Sequence, residues 1–490
     1  MDREILLIQP KAGKWENLGI RSPDGLLTMA ALPKKEGYNV NILDLRLEKD
    51  WKSSLKRHLD KNPLLVATSC MTGIQIKYAL EASKFVKLHN EETPVVWGGI
   101  HPTFMPNQTL ENENIDVVVI DEGDLTFLDI IKTLEAGKPL NEVLGIAYKD
   151  ETGKIHRNPP RPLIKNLDLL PDLPYELIDV NKYYGFDFED GGGSITLNTS
   201  RGCPFKCNFC YDTKMYGNTW RGLSAKRTIE IIKNVVNKFG IRNIFFQDDN
   251  FATNLKRFKD IVYGIIDEKI DITWGLLGIR LDTLKVLDDK FLRDLAKAGC
   301  VNMDSGVESG SDRILSMVKK GITVQEVIDI NKKMRNYSFK AKYSFIVGYP
   351  SETEEEMVQS VKLALKLVKD NKNAYTPFFI YAAYPGVELW EIAKHYGVDE
   401  PKKLEDWEKY DFESAYLHYK WLDERKIKMM KNLAFTSLFA NKNMKYKISK
   451  KYLKLLFNIY QPIAKLRFKY NIYQFPVDIK FANIIANSLY

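Results

Sequence analysis

The feature that most limits what this chain can fold into is an alternation of short apolar runs and amphipathic stretches, and it occurs twice. Up to about residue 155 the runs fall at 5–8, 40–43, 64–67, 95–97 and 117–120, with helical patterns at 25–36, 75–89 and 126–135. Uninterrupted apolar runs suit strands buried on both faces, as in a parallel sheet. Strand–helix alternation of this kind predicts an α/β, doubly wound, Rossmann-like domain over 1–155. The alternation resumes over 193–395, with strands expected at 195–198, 243–246, 273–277, 301–305, 343–347 and 378–381. Five helices lie between them, at 225–239, 255–268, 290–298, 324–337 and 354–369, so about six βα units make a partial TIM-like barrel. The two blocks are joined by a stretch, 156–192, that holds Pro159, Pro160, Pro162, Pro171 and Pro174 and ends near Gly191-Gly192-Gly193. Proline at that density predicts an extended connector draped over the surface. The remainder, 396–490, reads as mostly helical.

Three of the five cysteines share one loop, Arg201-Gly202-Cys203-Pro204-Phe205-Lys206-Cys207-Asn208-Phe209-Cys210, directly after the first strand of the second block. An iron–sulfur cubane is usually held by four thiolates. Three thiolates in one loop would leave one iron open to a small chelating ligand. A structural zinc site takes four ligands, yet only the distant Cys70 and Cys300 remain, and the nearest histidine is His156. A disulfide framework belongs to small, cysteine-dense, secreted chains. Five cysteines in 490 residues fit a reducing cytoplasm, and the opening Met1-Asp2-Arg3-Glu4 and its short apolar run lack the pattern of a signal peptide. No uncharged apolar run reaches the ~18 residues that span a bilayer.

Doubly wound sheets and barrels both bind ligands at the carboxyl ends of their strands. In the first block those ends are Ser69-Cys70-Met71-Thr72-Gly73, Gly98-Gly99-Ile100-His101 and Asp121-Glu122-Gly123-Asp124. No G-x-G-x-x-G occurs, so a dinucleotide is not indicated. In the second block they are Asp248-Asp249, Arg280, Glu308, and Ile346-Val347-Gly348 followed by Glu352. Each alone reads equally well as structural, for instance Asp248 or Asp249 as a helix cap. Their recurrence after successive strands is the informative part.

The cysteine loop resembles the signature of the radical S-adenosylmethionine (radical SAM) superfamily, and the first block resembles the cobalamin-binding domain that precedes the barrel in one branch of it. The resemblance covers nearly 400 residues. It implies a [4Fe-4S] cluster on Cys203, Cys207 and Cys210, with SAM on the open iron near Phe209, Asp248, Asp249, Arg280, Glu308, Ile346 and Gly348. It implies cobalamin at Ser69, Met71, Thr72, Gly98, Gly99, Ile100, His101, Glu122 and Gly123, the glycine pair admitting a bulky ligand. Two departures stand out. The D-x-H-x-x-G motif that supplies a cobalt ligand elsewhere is absent, so His101 is expected to pack in its loop. Relatives often carry Gly-Glu-Gly-Glu where this chain has Asp121-Glu122-Gly123-Asp124, and the added carboxylate is expected to crowd the pocket. The implied activity is methyl transfer to an unactivated carbon through a 5′-deoxyadenosyl radical, fed by an electron donor such as flavodoxin or ferredoxin. The alternatives are a radical cyclase without net methylation, as in anaerobic tetrapyrrole cyclisation, and a non-catalytic iron–sulfur protein that binds membrane or RNA.

The net charge of +8 resides in the tail: residues 441–490 hold nine lysines, one arginine and one aspartate, leaving the other 440 residues near −1. Tyr446, Tyr452, Phe457, Tyr460, Phe468 and other apolar residues interleave with those lysines. That mixture suits peripheral contact with a membrane, or a solvated lysine face over a packed helix; no RNA-binding module accompanies it. A small, apolar, lipid-like substrate is the corresponding expectation.

Overall fold

The computed structural model describes residues 4–13, 16, 20–183, 193–411, 414–440, 451–470 and 472. The first domain is a sheet of seven strands. Its five parallel members, in spatial order Asn39–Asp44, Glu4–Gln9, Leu65–Ser69, Val95–Gly98 and Val117–Val119, are the five apolar runs. Two antiparallel strands, Ile146–Lys149 and Ile155–Arg157, extend the sheet at one edge. The sequence did not announce them, because both are short and between them carry lysine, arginine and histidine. One face of the sheet packs against the helices Asp24–Lys35 and Asp124–Glu135. The other face is continuous with the core of the rest of the molecule.

The second domain is a parallel partial barrel. Its strands run Ser194–Leu197, Asn243–Phe246, Thr273–Leu276, Cys300–Glu308 and Lys340–Val347, and the sixth place is shared by Ala374–Tyr375 and Phe378–Ile380. The fourth strand is longer than expected and carries Glu308 within it, at a φ of 72° beside a register shift. Amphipathic helices such as Ala225–Phe239 and Leu255–Asp267 are set off by Ser224 and Asn254, whose side chains accept from the first turn.

A partial barrel leaves its first and last strands with one unpaired edge each, and both edges are capped from outside. On the first strand, Thr196 N–H donates to Ser22 Oγ of the first domain (3.1 Å), and Thr196 C=O accepts from the Tyr175 hydroxyl (3.0 Å). On the last, Phe378 N–H donates to Ser437 Oγ (3.2 Å), which sits on the helix Glu424–Ala440. Tyr175 belongs to the proline-rich connector, which is not draped over the surface. It buries Leu167, Tyr175, Val180 and Tyr183, and Tyr183 donates to Asp44 of the first domain (3.1 Å). Pro-rich composition dictates extended backbone but says nothing of the aromatic anchors that tie it down. Gly191 and Gly192, expected to close the connector, lie outside the described residues, as do 441–450 and nearly all of 471–490. The helix Lys451–Tyr470 packs on Glu424–Ala440.

Candidate active site

The cysteine loop leaves the barrel through Gly202, whose φ of 80° and tight surroundings exclude a side chain: a Cβ there would lie 2.3 Å from Thr219 O. Asp249 fixes the loop at two points, accepting from Gly202 N (2.8 Å) and from the Tyr211 hydroxyl (2.9 Å). Asn208 anchors its middle, donating to Val318 O and Met317 O. The Asn250 amide reaches Cys203 Sγ at 3.8 Å and the Arg280 guanidinium reaches Cys207 Sγ at 3.6 Å, while Arg280 also stacks on Phe205, 3.6 Å from the ring centroid. Burial raises the thiols of Cys203 and Cys210, and the Asp212 carboxyl beside them adds to the effect. Asp212 itself is pushed up to about 8 by burial and by Asp249. Thiols held protonated this way ionise when a cation draws on the sulfurs, and N–H groups aimed at those sulfurs are what tune a cluster. The donor set fits a cubane held by three thiolates. Cys70 and Cys300 are buried in the cores of their own domains.

Of the residues expected near SAM, Phe209 is half-buried with its ring 6.4 Å from that of Tyr349. Ile346 lies at the end of the fifth strand and Gly348 directly follows it. Asp248 is turned toward the first strand instead, accepting from Thr199 N (3.1 Å), Thr199 Oγ1 (2.9 Å) and Ser200 Oγ (2.5 Å). Glu308 is paired with Lys320 at 2.7 Å in a buried ion pair. Glu352, one place late for the resembling motif, accepts from Gly348 N (2.6 Å) and Tyr349 N (3.2 Å), and its second oxygen is buried without a partner. Burial pushes its carboxyl up to about 8.

A cavity of about 370 Å³ lies where the carboxyl ends of the first sheet face the cysteine loop. Ser69, Gly98, Gly99, Glu122 and Gly123 line it from one side, and Arg201, Tyr211, Met215, Tyr216 and Asp249 from the other. The two glycines of the pair serve different ends. Gly99, at φ 97°, is required by its own chain, because a Cβ would press on Cys70 O and Ser69 Oγ at 2.8 Å. Gly98 has open space where its side chain would be, with only Val119 Cβ at 3.7 Å, and that space belongs to the cavity. A groove of this kind, reaching between sheet and helix, fits the long arm of a cobalamin.

Four expected cobalamin residues are not among those that line the cavity. Met71 is 49% exposed. Thr72 Oγ1 and His101 Nδ1 pair at 2.9 Å, and the His101 ring lies edge-on to Trp407, 5.3 Å between centroids. Burial pushes that imidazole down to about 3, so it is neutral and packed, as its sequence context suggested. Ile100 starts the short helix Ile100–Phe104.

The Asp121–Asp124 loop has a function the motif did not suggest. Asp121 sits at φ 62°, a left-handed conformation that explains glycine there in relatives and that aspartate tolerates better than most residues; its half-buried side chain lines the cavity. Asp124 accepts both guanidinium branches of Arg201 (2.8 and 2.9 Å), and Glu122 accepts both of Arg221 (3.0 and 2.6 Å). The residue two before the first cysteine is therefore clamped to the first domain. Sequence alone could not pair acids and arginines 77 and 99 positions apart.

Comparison with known proteins agrees with this geometry. Residues 197–364 match the Radical SAM superfamily model and 15–131 match the B12 binding domain model. An uncharacterised methyltransferase of Pyrococcus horikoshii is 38% identical over 373 residues, 76% of this chain and 78% of that protein. The anaerobic magnesium-protoporphyrin IX monomethyl ester cyclase of Rubrivivax gelatinosus is 26% identical over 450 residues, 89% of this chain and 78% of that protein. The solved radical SAM methyltransferase TsrM of Kitasatospora setae, with cobalamin and a [4Fe-4S] cluster bound, shares the fold at a TM-score of 0.67 and 19% identity, covering 82% of this chain and 76% of its own.

Proposed function

Because this chain belongs to the cobalamin-binding branch of the radical SAM superfamily, with a [4Fe-4S] cluster, SAM and cobalamin as its cofactors, we propose that it transfers a methyl group to an unactivated carbon of an apolar small molecule, with membrane lipids as the substrate class. When bound, the cluster and SAM supply a carbon-centred radical and the corrin supplies the methyl group. One observation carries the reading: a single chamber is lined at one end by Ser69 and Gly98 and at the other by Tyr211 and Asp249, next to the cysteine loop. Its charged lining is acidic: Asp121, Glu122, Asp124, Asp172 and Asp249 against Arg201, which Asp124 already engages. A wall with carboxylates and no spare cation suits an uncharged substrate better than a phosphorylated one.

The chain's own contribution is positioning and exclusion of water. Asp249 holds the loop from both ends, and Asn250 and Arg280 donate toward two of the sulfurs. A one-electron donor of the ferredoxin or flavodoxin class supplies the reducing equivalent. The similarity to the cyclase supports a second reading, ring formation without net methylation. Anaerobic turnover of lipid extract with methyl-labelled SAM separates the two. Label in a lipid product supports methyl transfer. An unlabelled but altered lipid supports cyclisation, and SAM cleavage with every lipid unchanged defeats the proposed substrate class. Cys207→Ala should reduce SAM cleavage to background.

A further inference from the structure

The helix Lys451–Tyr470 has two apolar faces. Phe457, Tyr460, Ala464 and Phe468 are buried, with Tyr460 against Phe435 and Phe439 and Phe468 against Phe378. The second face points outward: Leu455, Ile459, Ile463, Leu466 and Tyr470 are each between 41% and 60% exposed. Their spacing of four, four, three and four residues gathers them within an arc of about 80° on a helix of 3.6 residues per turn. Elsewhere the exposed large hydrophobics, such as Leu88 and Leu169, stand singly, which is ordinary for a protein surface. A ridge of five along one helix is not. Lys465 and Lys469, both exposed, flank the ridge on one side, and Lys469 lies over the Tyr470 ring at 5.1 Å.

We propose that this ridge lies in the interface of an anionic membrane, with the five apolar side chains at the acyl boundary and the lysines among headgroup phosphates. The distribution of charge along the chain selects this occupant. The segment 441–490 carries +9 against about −1 for the remainder, so two copies of it brought face to face would repel. Residues 473–490 contain one acid, Asp478, and offer the lysines little to pair with. Among the described residues no helix is long and apolar enough to cross a membrane, which leaves lying on the surface as the mode of contact. The inference concerns where the protein works, and it stands whether or not the substrate is a lipid.

The test is flotation of the full-length protein, its cluster intact, with phosphatidylcholine vesicles and with the same vesicles containing phosphatidylglycerol. The expected result is co-flotation with the anionic vesicles only, weakening as salt rises. Replacing Leu455, Ile459 and Leu466 together by Gln should lower the partition coefficient at least tenfold. Lys465→Gln with Lys469→Gln should lower it by roughly an order of magnitude at low salt. As a second readout, Tyr470→Trp should give an emission that shifts to the blue when anionic vesicles are added. Iron content and thermal midpoint of each variant serve as folding controls. Failure of the wild type to float with anionic vesicles overturns the proposal, as does equal flotation of the triple variant. A ridge that shields itself from hydrogen exchange in lipid-free protein would assign the cover to residues 473–490, and loss of a dimer in the triple variant would assign it to a second copy; either result also overturns it.

Discussion

At the scale of single residues, Gly98 and Glu352 make distinct, separable predictions. Gly98 faces the cavity with room to spare, so Gly98→Leu should fold and then occupy the space of the cofactor. Cobalamin retained per chain should fall severalfold while iron stays near the wild-type ratio; metal analysis of the anaerobically purified protein reads both. Glu352 carries a proton in the folded state up to about pH 8, whereas the unfolded chain releases it near the ordinary glutamate value of 4.5. The folded state binds more protons between those limits, so this group makes stability fall as pH rises from about 4.5 to about 8 and leaves it flat above. Glu352→Gln retains an oxygen to accept from Gly348 and Tyr349, and it removes the slope. The variant's melting temperature minus the wild type's should grow across that pH window; a constant difference would contradict the buried-acid account.

At the scale of elements, the seam between the first sheet and the barrel is held by the loop 121–124. Removing one partner from a buried ion pair leaves its charge uncompensated, at a cost of about 3–5 kcal/mol. Arg221→Met should therefore lower stability, by less than that full cost because Arg201 still pairs with Glu122 at 3.4 Å, and adding Glu122→Gln should recover part of the loss, as chemical denaturation of the four members of the cycle would measure. The parallel strands were legible in the sequence because burial on both faces leaves an unbroken apolar run, as in Ile5–Ile8. The cysteine triad was legible because all its members are local. The clamp, the edge caps and the buried anchors of the connector were not, since each joins residues distant in the chain. Asp248 and Glu308 do occupy the expected strand ends, and what the sequence could not show is the partners that hold them there, Thr199, Ser200 and Lys320.

At the scale of the whole molecule, first domain, connector, barrel and carboxyl-terminal helices share one continuous core. Heating should give a single calorimetric transition for the wild type, and Arg201→Leu, which releases both Asp124 and Glu122, should split or broaden it. The hydroxyls of Ser22, Tyr175 and Ser437 bear on what evolution or engineering can remove. A half-closed barrel trimmed to 193–395 would present bare amide and carbonyl groups along two parallel ribbons, an invitation to stack with its own kind. Shortening this enzyme from either end should thus yield filaments or inclusion bodies before it yields a minimal catalyst.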